Sequence, residues 1–284
     1  MVRDMLNMIR MELYRMVRMK SFWVILIIVG VMNVITVSLN DVMMDSPELQ
    51  QALEATQAKE DDPVSNIGMS ITMERNEDGS YGFLEIITAA AKGMLCALFI
   101  GIFTVIFATA DFNTGYIKNY GGAVKHRWHM VAAKGTAVLV YTIMFFALFI
   151  ASSCLGVFIG GHKIVMDPAG KIFEVLCIQG LLHVVFGWII MSLCVIVRNN
   201  LISMIVACCI SMHVFTVLYS LADKGLKKLG WKEAAISNYT VSGRIMQYGI
   251  DSSKILGSTL VVATIFAVVA FAIGSLCVTK KDLV

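Results

Sequence analysis

Asp111-Phe112-Asn113-Thr114-Gly115-Tyr116-Ile117-Lys118-Asn119-Tyr120-Gly121-Gly122-Ala123-Val124-Lys125-His126-Arg127-Trp128-His129-Met130-Val131-Ala132-Ala133-Lys134 is a basic, glycine-containing stretch set between two long apolar runs. Lys and Arg resist passage across a bilayer, so a membrane protein keeps such a cluster on the cytoplasmic side. A short helix held there between two spans can pass force from a soluble partner into the membrane.

Composition supports that setting. Hydrophobic residues make up 58% of the chain and charged residues 15%, with a mean hydropathy of +0.77. A soluble domain is closer to half apolar and a quarter charged, so the expected class is an integral membrane protein. The formal charge of +3 argues little by itself. Membrane flanks account for the basic residues, which leaves no reason to expect a nucleic-acid partner. Cys96, Cys154, Cys177, Cys194, Cys208, Cys209 and Cys277 all fall in apolar runs and read as small buried hydrophobes.

Outward from the opening stretch, residues 1–20 read as an amphipathic helix lying in the membrane interface. At about 3.6 residues per turn, Val2, Met5, Leu6, Ile9, Leu13, Met16 and Val17 share one arc. Arg3, Asn7, Arg10, Tyr14, Arg15 and Arg18 cover the opposite arc, towards anionic headgroups. Residues 21–284 form the membrane domain. Its spans are expected at about 22–39, 85–109, 130–159, 172–197, 201–221 and 256–278, each near the ~20 residues a crossing requires. The fold class is therefore all-α, with six transmembrane helices, an interfacial N-terminal helix and a cytoplasmic helix over 111–129.

Two polar segments separate spans. Residues 40–84 are acidic and are expected outside, with a helix from Pro47 to about Lys59 and a turn over Asn76–Gly82. Residues 222–255 are too long for a turn and too polar to span, so an external helical or re-entrant segment is expected. Lys92 is expected to snorkel to the outer surface. The N-terminal arginines, Lys118 to Lys134, Arg198 and Lys280-Lys281 all lie inside in this arrangement, with both termini cytoplasmic; Lys224, Lys227, Lys228 and Lys232 oppose it.

Chemistry-bearing motifs are sparse. Gly170-Lys171 lacks the upstream glycine of a P-loop and is followed by Ile172, and there is no His-Glu-x-x-His or Gly-x-Ser-x-Gly. An enzyme is not expected, and no catalytic or metal-ligating residue is assigned. His126 and His129 lack a nearby third ligand. Inside the spans, His183 and His213 lie near the middle of the fourth and fifth, and Asn33 and Gln179 are further buried polar positions. They either line a pathway or bond between helices. Gly156, Gly160 and Gly161 suit close helix packing.

The opening stretch resembles the first cytoplasmic loop of type-2 ABC exporter permeases, especially the six-span subunits linked with bacteriocin, lantibiotic and bacitracin self-protection. In that family an acidic residue ends the second span, Gly-Thr-Ile-Lys-Asn or a close variant follows, then an Arg-containing turn and a Lys opening the third span. Asp111, Gly115, Ile117, Lys118, Asn119, Arg127 and Lys134 match those positions. Asp111 stands where Glu is commoner, and Tyr116 where Thr is usual.

The resemblance implies a coupling helix that docks on a separate ATPase subunit, with Asp111, Thr114, Gly115, Tyr116, Ile117, Lys118, Asn119, Lys125 and Arg127 as coupling residues. ATP and Mg would reside on that partner and no cofactor on this chain. A second permease subunit, identical or paralogous, would complete the pathway in a bacterial cell membrane, the cargo being amphipathic or hydrophobic, such as an antimicrobial peptide. Two other classes stay open: a secondary transporter or channel using His183 and His213, and a membrane sensor or scaffold that transports nothing.

Overall fold

The computed structural model describes residues 2–40, 73, 76, 78–113, 115, 127–228, 235–250 and 252–280. The helices are α1 (Val2–Arg18), α2 (Lys20–Ser38), α3 (Phe83–Lys92), α4 (Leu95–Asn113), α5 (Trp128–Ile159), α6 (Ala169–Val197), α7 (Asn200–Ser211), α8 (Val214–Lys228), α9 (Val241–Gln247) and α10 (Leu256–Lys280). Single 3-10 turns cover Ile236–Tyr239 and Ser252–Ile255. Five helices are long and apolar enough to cross a membrane, and a sixth span exists if the bent pair α7–α8 counts as one. This is the architecture of an all-α membrane protein.

Apolarity does not decide which helices lie where, since the spans are about equally apolar. α4 and α6 are the most buried spans, and α2 and α10 the least. Accordingly α4, α5 and α6 form the centre, with α2 against α5, α10 against α6, and α7 against α4. An aromatic column fills the α2–α4–α5 contact. Phe103 and Tyr141 stack at 3.6 Å, Phe22 meets both edge-on, and Phe107 and Phe145 extend the column. Its members sit at i, i+4 spacing on α4 and α5, so each helix turns one continuous aromatic face inward.

Small residues set the close approaches. A Cβ at Gly156 would lie 2.8 Å from Val37 Cβ and 3.0 Å from the Val34 carbonyl oxygen. Asn33 spans the same α2–α5 contact, its amide nitrogen donating to Ser152 Oγ at 2.8 Å and Ser153 Oγ at 2.7 Å. Between α6 and α10, Ser192 Oγ donates to the Ala270 carbonyl at 2.6 Å, beneath Gly274. Hydrogen bonds and close backbone contact bind helices here because lipid is as apolar as the side chains.

Two expected spans are broken. The run 85–109 divides at Gly93–Met94, where Met94 takes a left-handed conformation (φ 59°), so α3 is a separate buried helix and the span is α4. The run 201–221 divides at Met212–His213, where His213 has φ 58° and the axis bends by 63°. Elsewhere the boundaries match closely: α5 covers the expected 130–159 and α6 the expected 172–197. Arg198 (φ 53°) and the N-cap Asn199, which accepts from Ile202 N–H at 3.1 Å, make the tight turn into α7.

At the end of the bundle away from α1, short segments are stitched together. Tyr81–Gly82 (β1) pairs in parallel with Ile164–Val165 (β2). Asn40 donates to the Tyr81 hydroxyl at 3.1 Å, and Asp167 Oδ2 accepts from Leu84 N–H at 2.8 Å at the start of α3. The expected turn over Asn76–Gly82 is present at Asp78–Gly79, with Gly79 at φ 78°. Lys92 lies over Gly249, where a Cβ would collide with its ammonium, so it joins α3 to the 235–250 segment. The expected helix from Pro47 to Lys59 lies outside the described residues.

Two further expectations need correction. α1 does not set its whole apolar arc towards lipid: it packs on α5, burying Met8, Glu12 and Met16, while Leu6 and Val17 are exposed. The cysteines are free but not uniformly buried, since Cys177 is exposed on α6. An apolar run in a bundle has a bilayer-facing side, and a small polarizable residue is tolerated there as well as in the core.

Candidate functional site

Four charged side chains meet where α4 ends and α5 begins. Asp111 lies at the end of α4, one helical step below Phe103 and Phe107 on the same face. Lys134 lies two turns into α5 and α1 supplies Glu12 and Arg15. Asp111 is 2% exposed, Glu12 4% and Lys134 7%, so three of the four are within the protein.

The contacts close into a chain. Lys134 Nζ stands 2.8 Å from Asp111 Oδ2 and 3.6 Å from Glu12 Oε2. Arg15 pairs with Asp111 Oδ1 through one guanidinium nitrogen and with Glu12 Oε1 at 3.2 Å through the other. Two cations face two carboxylates, and no net charge is left buried. The Lys134 ammonium also lies 4.5 Å from the centroid of the Phe107 ring, which joins the ionic cluster to the aromatic column. Removing one partner from such a cluster costs far more than removing a matched pair, because it strands a buried charge.

The arrangement fixes both roots of the segment to one element. Asp111 holds the outgoing strand of chain, Lys134 the returning one, and α1 bridges them. A cavity of about 20 Å3 lies beside the Asp111–Lys134 pair and is also lined by Ser192, Gly274 and Val278. Its surface is almost wholly apolar, so it is a packing gap beside the ion pairs rather than a water site.

Of the coupling residues expected from the sequence, Asp111 is buried in this cluster. Gly115 has φ 67°, a left-handed geometry that suits glycine, and its N–H donates to the Phe112 carbonyl at 3.3 Å. Arg127 Nη1 donates to the Val278 carbonyl at 3.5 Å near the end of α10. Thr114, Tyr116, Ile117, Lys118, Asn119 and Lys125 lie outside the described residues. Arg15, placed by the helical wheel on the headgroup-facing arc, instead turns inward to Asp111. The desolvated carboxylate at the foot of α4 outcompetes water for the guanidinium.

The intramembrane polar residues are dispersed. Asn33 is the α2–α5 staple described above. Gln179 Nε2 donates to the carbonyls of Ile245 and Tyr248 at 3.1 and 2.7 Å, and so caps the end of α9. Tyr248 in turn donates to Glu174 Oε1 at 2.7 Å, and burial followed by that bond push its phenol pKa upward. His183 is fully buried, with Nδ1 2.7 Å from the Gln179 carbonyl and its ring edge-on to Phe146 at 5.0 Å. His213 sits at the α7–α8 break rather than within a continuous helix. His129 is buried against Trp128 at 4.1 Å, while His126 lies outside the described residues. Among the described residues, no group of three or more His, Cys, Asp or Glu is placed to hold a metal ion.

Glu12 is the member that sequence reasoning missed. It sits between the apolar and basic arcs of α1, four residues from both Met8 and Met16, on the face that meets α5. A carboxylate flanked at i±4 by apolar residues was the available signal. No protein-family model matches the chain, and no curated protein matches it.

Proposed function

We propose that this chain is the membrane-spanning subunit of an ATP-driven exporter, with residues 111–129 as the contact for a separate ATPase. The observation that carries the reading is the buried ionic cluster of Glu12, Arg15, Asp111 and Lys134, which ties both roots of that segment to α1. A segment that delivers force needs a stiff base, and a desolvated set of ion pairs resting on a stacked aromatic column supplies one. The resemblance of the 111–134 sequence to type-2 ABC exporter permeases points the same way.

In this reading the chain is not itself an enzyme. ATP and Mg belong to the partner, and a second permease subunit, identical or paralogous, completes the pathway. The cargo is an amphipathic or hydrophobic compound such as an antimicrobial peptide, and the role is resistance to it. The membrane is a bacterial cell membrane, with both termini, α1 and residues 111–129 on the cytoplasmic face. The bent pair α7–α8 counts as one of six spans.

Purification with a P-loop ATPase expressed from the same operon tests the proposal. The expected result is a stable complex that is lost when Lys118→Glu and Arg127→Glu are combined with Ile117→Asp. Persistence of the complex in that triple variant, with the fold intact by circular dichroism, would overturn the coupling role.

A further inference from the structure

A groove of about 750 Å3 runs along the outer surface between α2 and α5. Trp23, Ile27, Val31 and Ile35 form one wall, and Met144 and Leu148 stand on the other. Gly30 lowers its floor: a Cβ there would be in ordinary van der Waals contact with Leu148 at 3.6 Å, so the glycine and Leu148 together bound the groove. The lining is apolar almost throughout, and the volume falls within the roughly 300–1,000 Å3 common for small-molecule sites.

Its length says what kind of occupant it takes. From Trp23 to Ile35 the α2 axis rises about 18 Å at the helical rise per residue. That approximates one leaflet, half of a hydrocarbon core roughly 30 Å thick. A single acyl chain matches that length, while the apolar face itself runs on to Leu39, Phe158 and Ile159.

Charge at one end of the groove identifies the headgroup. Lys20 lies three residues before Trp23 and seven before Ile27, so it continues the groove-lining stripe of α2 beyond its apolar part. Arg18 is exposed at the same joint, its guanidinium held by the Tyr14 hydroxyl at 2.8 Å. The Trp23 indole donates to the Val17 carbonyl at 2.9 Å and so fixes the ring at the mouth, the depth at which tryptophan marks the membrane–water interface. Glu12, the nearest buried carboxylate of α1, is turned away towards Lys134.

We infer that the α2–α5 groove is a binding site for an anionic phospholipid, with an acyl chain along Gly30 and Leu148 and the phosphate between Arg18 and Lys20. The site belongs to the leaflet on the α1 side. It does not depend on the exporter reading, since it needs neither an ATPase nor a cargo.

Fluorescence of the full chain in phosphatidylcholine nanodiscs tests it, with brominated phosphatidylglycerol or brominated phosphatidylcholine added in equal fractions. The Trp23 contribution is the difference between the wild type and Trp23→Phe. Brominated phosphatidylglycerol is expected to quench Trp23 at about thirtyfold lower fraction than brominated phosphatidylcholine, the effect of two basic residues at the surface. Lys20→Glu is expected to abolish that preference. Gly30→Phe, or Val31→Phe should the first fail to fold, is expected to fill the groove and reduce quenching by both lipids. Equal quenching by the two lipids, or quenching untouched by the filling variants, would mean ordinary annular lipid and overturn the site. Quenching that disappears in discs holding two copies would assign the groove to a second copy instead.

Discussion

At the scale of single residues, Lys134 is the most exposed to substitution. Its ammonium serves Asp111, Glu12 and the Phe107 ring together. Lys134→Met is expected to destabilise the protein by about 3–5 kcal/mol, the usual cost of stranding a buried charge. Adding Glu12→Gln removes the unmatched carboxylate, and a thermal-unfolding cycle in detergent should recover about 0.5–3 kcal/mol of that loss as coupling between the two sites. Asp111 and Lys134 were legible in the sequence because each bounds a polar stretch between apolar runs. Glu12 was not, because a single carboxylate among methionines leaves the overall amphipathicity of α1 unchanged. What selects it is the neighbour across the interface, and a wheel drawn for one helix contains no neighbour.

Elements were legible where apolar runs had clear ends. α5 and α6 begin and stop near polar or glycine-bearing turns, and their expected limits hold within a few residues. The breaks inside runs were not legible. Gly93 is one glycine beside a lysine, and Met212–His213 carries no proline or glycine, so hydropathy averaged along the chain passes over both. The α7–α8 bend uses a left-handed histidine, which glycine would adopt at less cost. His213→Gly is expected to keep the bend, with relief of the left-handed backbone offsetting part of the cost of removing a buried ring, measured as the thermal midpoint. A proton-carrying role for the imidazole predicts instead that gradient-driven transport is lost in the same variant. Close packing gives a second test at this scale. Gly156→Leu is expected to push α2 from α5 and cost about 1–3 kcal/mol, because Val37 and the Val34 carbonyl leave no space for a side chain.

For the molecule as a whole, its two ends are built differently. Away from α1, the closure is a two-residue strand pair and hydrogen bonds between single charged or amide groups and neutral partners. These hold α3, α9 and the 162–167 turn together, and none of them is an ion pair. On the α1 side it is ionic. If the chain is the exporter subunit proposed above, an alternating-access cycle requires one end to loosen as the other tightens, and ions that can exchange partners suit the end where the ATPase would act. On the proposed exporter reading, Asp111→Asn in a complex with the ATPase is expected to leave co-purification intact while lowering cargo-stimulated ATP hydrolysis by about 5–150-fold, the usual range of allosteric coupling. Equal stimulation in the variant and the wild type would detach the cluster from force transmission.

The pairing of Arg15 with Asp111 joins residues 96 positions apart, and Lys134 lies later still. During synthesis α1 and α2 emerge first, long before either partner exists. Glu12 and Arg15 must wait at the membrane surface, satisfied by water and headgroups, until α4 and α5 have been inserted as a hairpin. Docking of α1 is then a late assembly step that reports completion of the first half of the bundle. A nascent chain stalled before Lys134 would leave the N-terminal helix open to protease, and one stalled well beyond it would protect it.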